Sequence, residues 1–154
     1  MRDSAAVAVK TEAIGKTYPA TTYAVGREKI REYASAVGET NPLYLDVDAA
    51  RTAGYADVVA PPMFAVVYAG RALWPALFDP EIGIDFPNML HAGQEFEWGS
   101  VVVAGDEIET TVTVKDISER QGMGFYELVT ESRNSRGETV CTGVWRQIVR
   151  GAGA

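Results

Sequence analysis

The chain has 154 residues, enough for one domain with a sizeable core, and its 47% apolar and 23% charged residues are an ordinary globular balance. With 14 Lys and Arg against 21 Asp and Glu, the formal charge is −7, and no basic stripe is present to displace counterions from a phosphate backbone, so nucleic acid is excluded as a partner. One cysteine, Cys141, permits no internal disulfide and suits a reducing cytoplasm.

Residues 1–10 lack the apolar core of a signal peptide, and Ala5 to Lys10 read as a loose arm, as do residues 151–154 at the other end. Ile30, Tyr33, Ala34 and Val37 recur at helical spacing, and Gly38 stops that helix. Arg27, Lys29 and Arg31 alternate with Glu28 and Glu32, the mark of a solvated helix face. Asn41-Pro42 marks a turn, and Asp48 is placed to cap a short helix over residues 49–53 that Gly54 closes. Pro61-Pro62 then leads into an apolar run, Met63 to Leu73. Proline suits a first helical turn, and a helix apolar all round is expected to be buried on every side. The most apolar stretch, Val58 to Gly70, is too short to span a bilayer, so no membrane association is expected.

The second half alternates instead. Ile108, Val112 and Val114 interleave with Glu107, Glu109, Thr111, Thr113 and Lys115, giving one apolar and one wet sheet face. Phe125 to Ser132 and Val140 to Val149 form two further strands, with Gln121 to Gly124 and Asn134 to Gly137 as hairpin turns. Cys141 falls within this alternation and reads as a buried, inert thiol. Strands following one very apolar helix predict an α+β domain of the hot-dog type, a curved antiparallel sheet wrapped around a central helix, spanning the whole chain. Its open sheet edges predict a dimer.

Three segments carry a resemblance. Ala36-Val-Gly-Glu-Thr-Asn-Pro-Leu-Tyr-Leu45 resembles the Gly-Asp-x-Asn-Pro-x-His hydratase motif of the MaoC-like (R)-specific hydratases and dehydratases. Gly54-Tyr-Ala-Asp-Val-Val-Ala-Pro-Pro-Met63 stands where that family opens its central helix with His-Gly-Met. His91-Ala-Gly-Gln-Glu-Phe-Glu-Trp98, continuing to Ala104-Gly-Asp-Glu-Ile108, is similar to the family's strand with Gly-Gln and a following Gly-Asp. Together they cover most of the chain in the family's order.

The resemblance implies dehydration of a 3-hydroxyacyl thioester, or its reverse. A base takes the α-proton, an acid protonates the leaving hydroxyl, and a backbone N–H at the helix opening holds the enolate oxygen. In the family the motif's Asp and His handle proton and water. Here the Asp position holds Glu39, whose extra methylene moves the carboxylate by about an ångström, enough to cost roughly a hundredfold. The His position holds Tyr44, with an ordinary pKa of about 10. The glycine position holds Pro62, which has no N–H.

Glu39 and Tyr44 are therefore the family's dyad positions, substituted and expected to be inactive. Each also has a plain structural reading: Glu39 at a helix end facing solvent, Tyr44 as a core aromatic with its hydroxyl satisfied. His91, the only histidine, starts a strand that lies near the groove in the family; it is a further catalytic candidate or simply structural. Asn41, Pro62, Met63, Phe64 and Val67 are the candidate substrate-lining residues. With one His, one Cys and no clustered carboxylates, neither a metal nor another cofactor is expected.

The segments Tyr23 to Tyr33 and Val58 to Phe64 resemble the non-catalytic member of the paired (3R)-hydroxyacyl-thioester dehydratases of actinobacterial fatty-acid pathways, the N-terminal MaoC-like type. That implies an acyl-CoA or acyl-carrier-protein substrate and a heterodimer with a catalytic MaoC-like subunit. Two alternatives stay open: a homodimeric enoyl-CoA hydratase using Glu39 or His91, and a hot-dog module that binds an acyl thioester without chemistry.

Overall fold

The computed structural model describes residues 7–151. Five α-helices and five strands follow in order: β1 (Thr17–Ala24), α1 (Arg27–Ala36), α2 (Pro42–Leu45), α3 (Val47–Thr52), α4 (Ala65–Ala72, entered through a 3-10 turn, Pro62–Phe64), α5 (Trp74–Leu77), β2 (Met89–Trp98), β3 (Glu107–Arg120), β4 (Met123–Asn134) and β5 (Thr139–Val149). The strands form one five-stranded sheet in the order β1-β3-β4-β5-β2, every neighbouring pair antiparallel.

Side-chain alternation decides which sheet face is buried. On β3, Ile108, Thr110, Val112 and Val114 point inward and their neighbours outward. A bulge between Val114 and Asp116 then places Lys115 and Asp116 both on the wet side and returns Ile117 to the core. The β3–β4 turn is tighter than the sequence suggests. Gln121 and Gly122, with φ of 54° and 77°, make a two-residue connection whose twist matches the flanking strands. On β5, position 143 must be glycine, because a Cβ there would stand 2.6 Å from Thr130 Oγ1 and 2.9 Å from Phe96. The space left free lets the Trp145 indole N–H donate to Thr130 Oγ1 at 2.9 Å.

The central helix lies on this inner face. Ala65, Ala69, Ala72 and Ala76 make a small-residue stripe that allows close approach, and Phe64, Tyr68 and Leu73 fill the flanks. Pro75 removes a helical N–H and splits the rod into α4 and α5. The expected burial on every side is not observed. Met63 is 46%, Trp74 51% and Phe78 54% exposed, because this sheet wraps only one side of the rod and the other side faces away from the chain.

Three other expectations need correction. Residues 17–24, taken as part of a mostly helical half, form the edge strand β1; Thr and Tyr carry its strand preference, but Pro19 and Ala20 interrupt the alternation, and a bulge sits there. Asp46, not Asp48, caps α3, its Oδ1 accepting from Asp48 N–H at 2.8 Å and Ala49 N–H at 3.2 Å. The described part of the N-terminal arm is not loose: Val7 and Val9 pack on the core, and Lys10 Nζ donates to the Pro80 carbonyl at 2.8 Å. Residues 1–6 and 152–154 lie outside the described residues. No helix among those described is long and apolar enough to cross a membrane.

Candidate functional site

The segment between α1 and α4 arches over the opening of the central helix. Gly38, at φ 76°, ends α1, with Gly38 N–H donating to the Ser35 carbonyl and Glu39 N–H to the Ala34 carbonyl, the paired bonds of a glycine-terminated helix. Asn41 Oδ1 caps α2 by accepting from Leu43 N–H at 3.0 Å, and Pro42 supplies a first turn that needs no N–H. The arch is tied down by Val59 N–H to the Leu43 carbonyl and Ala60 N–H to the Val102 carbonyl. A two-bonded ion pair, Arg27 to Asp57, joins the start of α1 to the end of the arch. That guanidinium holds the Asp57 carboxyl down at about 2.

Beneath the arch is a mostly apolar cavity of about 250 Å³. Tyr44 and Tyr55 line it from the arch, Pro62 and Tyr68 from the helix opening, and Trp98 and Val140 from the sheet. The Trp98 indole N–H donates to the Pro62 carbonyl at 2.8 Å, fastening the end of β2 to the first turn of the helix. Proline at 62 leaves Met63 as the first residue there with an N–H to offer. The Tyr68 hydroxyl lies beside the Cys141 thiol, burial raises both pKa values, and the thiol is pushed up to about 11. A thiol in that state is no nucleophile.

The candidate residues do not converge. Tyr44 and Pro62 both line the cavity. Glu39 is exposed and outside its lining; burial raises the Tyr33 hydroxyl's pKa, and the Glu39 carboxylate adds to that rise. Asn41 serves as the cap of α2. Phe64 is fully buried in an aromatic cluster, its ring 5.5 Å from Tyr33 and 6.3 Å from both Tyr23 and Tyr68. Met63 is exposed.

Val67 and His91 instead line a second, more open groove of about 450 Å³, between α4–α5 and strands β2 and β5. There His91 Nδ1 meets Gln147 Nε2 at 3.1 Å, and the imidazole sits edge-on to Trp145 at 6.2 Å. Tyr55, Tyr68, Trp98 and Gln147 were not among the sequence candidates. Tyr68 was within reach, since it follows Phe64 by one helical turn, but a Tyr inside an apolar run gives no sign of facing a cavity. Gln147, a polar residue at an inward position of an alternating strand, was the stronger signal.

An antiparallel sheet around one central helix, with a cavity where that helix opens, defines a hot-dog domain of the MaoC-like dehydratase kind. Residues 12–143 match the family described as "FAS1-like, dehydratase domain region". The chain belongs to that family. A UPF0336 protein of Saccharopolyspora erythraea is 43% identical over 139 residues, 90% of this chain and 89% of the relative. Among solved structures, a MaoC-like dehydratase matches with a TM-score of 0.81 at 31% identity, over 91% of this chain but 43% of its own longer chain. A chain of the C-terminally truncated HadBC (3R-hydroxyacyl-ACP dehydratase) complex of Mycobacterium tuberculosis matches with a TM-score of 0.79 at 26% identity, over 91% of this chain and 99% of that one.

Proposed function

We propose that this chain is the substrate-channel subunit of a (3R)-hydroxyacyl-thioester dehydratase, working beside a MaoC-like subunit that carries the catalytic Asp and His. One observation carries the reading. The cavity at the helix opening is lined by Tyr44 and Pro62 while Glu39 stays outside it, so the place holds hydrocarbon but brings together no proton-moving pair. A phenol is a poor base for an α-proton, and Pro62 has no N–H to hold an oxyanion where the helix opens.

The similarity to a chain of a complex described as a 3R-hydroxyacyl-ACP dehydratase supports the partnership. The partner's docking face is the side of the rod that this sheet leaves uncovered. Strand β2 ends the sheet order, and Trp74, Phe78 and Phe86 form an exposed cluster next to it, with the Trp74 and Phe78 rings stacked at 5.4 Å and Phe78 and Phe86 at 4.7 Å. Exposed aromatic patches and open sheet edges both favour association.

The test is hydration of crotonyl-CoA by the purified chain, then by the chain co-expressed with a MaoC-like subunit bearing an intact Asp-x-Asn-Pro-x-His. The expected outcome is no turnover alone and turnover in the complex. Turnover by the chain alone that Glu39→Gln abolishes overturns the subunit reading in favour of an autonomous hydratase. Acyl-thioester binding with no turnover under either condition favours a binding module.

A further inference from the structure

We propose that Lys16 and Tyr18, by holding the Asp79 carboxylate, are positioning residues for subunit assembly: they fix the segment that carries Phe78 and Phe86, so that the partner subunit meets a contact face already formed. This rests on the subunit reading above and adds how its contact face is kept in shape.

The face has little regular structure of its own to rely on. Phe78 and Phe86 belong to residues 78–88, which join α5 to β2 and contain no helix or strand beyond one 3-10 turn, Phe86–Asn88. Exposed connections of that kind are ordinarily the mobile parts of a domain. Both rings are exposed and pack on Trp74, so whatever fixes this segment also fixes the aromatic cluster.

Asp79, the residue after Phe78, fixes it. Lys16 Nζ donates to Asp79 Oδ2 at 2.6 Å, and the Tyr18 hydroxyl donates to the same oxygen. Oδ1 accepts from Glu81 N–H at 2.8 Å, and the Asp79 carbonyl accepts from the N–H groups of Ile82 and Gly83, both at 3.1 Å. Lys16 also pairs with Glu81. One carboxylate thereby joins a tight turn to two donors outside it. The turn delivers Ile82 to the core, where it is fully buried.

The donors are themselves mounted on the sheet. The Lys16 carbonyl accepts from Val114 N–H at 2.8 Å, tying it to β3, and the Tyr18 ring packs against the core from β1. Strands β1 and β2 are the two opposite edges of the sheet. The segment therefore runs from one edge, at Asp79, to the other, at Met89, where Arg150 N–H donates to the Asn88 carbonyl at 3.2 Å. Lys16 and Tyr18 together hold the Asp79 carboxyl down at about 2, so the clasp stays charged through the neutral range. Partly exposed ion pairs add little to the stability of a fold, but their directed bonds set local geometry. An aromatic face that had to order on contact would bind its partner more weakly.

The test uses the full chain, alone and with a MaoC-like subunit bearing an intact Asp-x-Asn-Pro-x-His. Lys16→Met and Tyr18→Phe remove the two donors while keeping the aliphatic stem and the ring, and they are made singly and as a pair. The pair is expected to leave the amide spectrum of β3, β4 and β5 unchanged and to broaden the NMR signals of the Trp74 indole and the Phe86 ring. Association with the partner should weaken at least tenfold, with each single variant losing less, while Lys16→Arg, which still pairs with Asp79, keeps both properties. In a Phe78→Ala background the same pair should cost no further affinity, because the two changes act through one contact. Sharp Trp74 and Phe86 signals in the pair, unchanged affinity, or a full further loss in Phe78→Ala each overturn the proposal. Failure of the subunit reading looks different: the unaltered chain then binds no MaoC-like subunit, while the Trp74 and Phe86 signals of the variants still decide whether the clasp orders this face.

Discussion

The two hollows on either side of the central helix differ in what their walls can do. The cavity under the arch is closed by Tyr44, Tyr55, Tyr68 and Trp98, and its helix opening is a proline whose carbonyl is already bonded to the Trp98 indole. The groove beside β2 is more open, and one wall holds an imidazole locked by a buried amide. In the first, no carboxylate or imidazole stands among the lining residues. In the second, a polar pair persists where packing alone would favour hydrocarbon. The lesson is that one helix can present walls of different polarity on its two sides.

The comparison can be broken most forcefully at Phe64, which supports the arch side only. Phe64→Ala empties the ring contacts with Tyr23, Tyr33 and Tyr68 and is expected to cost about 3–5 kcal/mol, read from urea unfolding. Hexanoate binding should collapse with it. If native-state spectra instead show the His91 signals lost before the Tyr68 signals, the two hollows are not separately supported.

A smaller effect is expected at the cap of α3. Asp46→Ala removes the acceptor for two N–H groups and should destabilise by about 1 kcal/mol, while Asp48→Ala, which caps nothing, should change stability by no more than about 0.5 kcal/mol. Loosening α3 moves Tyr55 and so should weaken ligands in the cavity. Equal effects from the two aspartates would refute the assignment of the cap.

The smallest effect is a pH dependence at the arch. Asp57 has its pKa lowered from 3.8 to about 2 by Arg27, so the pair stabilises the fold above the unfolded value and the contribution fades as pH falls from about 4 towards 2. Asp57→Asn should flatten that part of the stability profile. An unchanged acid limb in Asp57→Asn would remove this pair from the supports of the arch.

The sheet was largely legible because β3, β4 and β5 alternate over most of their length, and alternation survives whatever packs against it. The helix opening was legible from Pro61-Pro62. Strand β1 was not, since Pro19 and Ala20 break its period and its pairing with β3 is a long-range choice that no local pattern announces. The one-sided burial of the rod was missed for a related reason: an apolar run states that a surface must be covered, not whether its own chain does the covering. Pro62 and Tyr44 could be paired from sequence only through the family motif. Gln147 and His91 could not, because 56 residues separate them and only the β2–β5 register brings them together.

Trp98 has a consequence for how any complex of this chain must behave. Its ring closes β2, the strand facing the proposed subunit contact, and its nitrogen latches the turn that opens the cavity. Any change that assembly works on cargo affinity through this latch must be returned by cargo on assembly by the same factor. Indole emission from Trp98, read as the difference from the Trp98→Phe variant because Trp74 and Trp145 also emit, then serves as a gauge of that coupling.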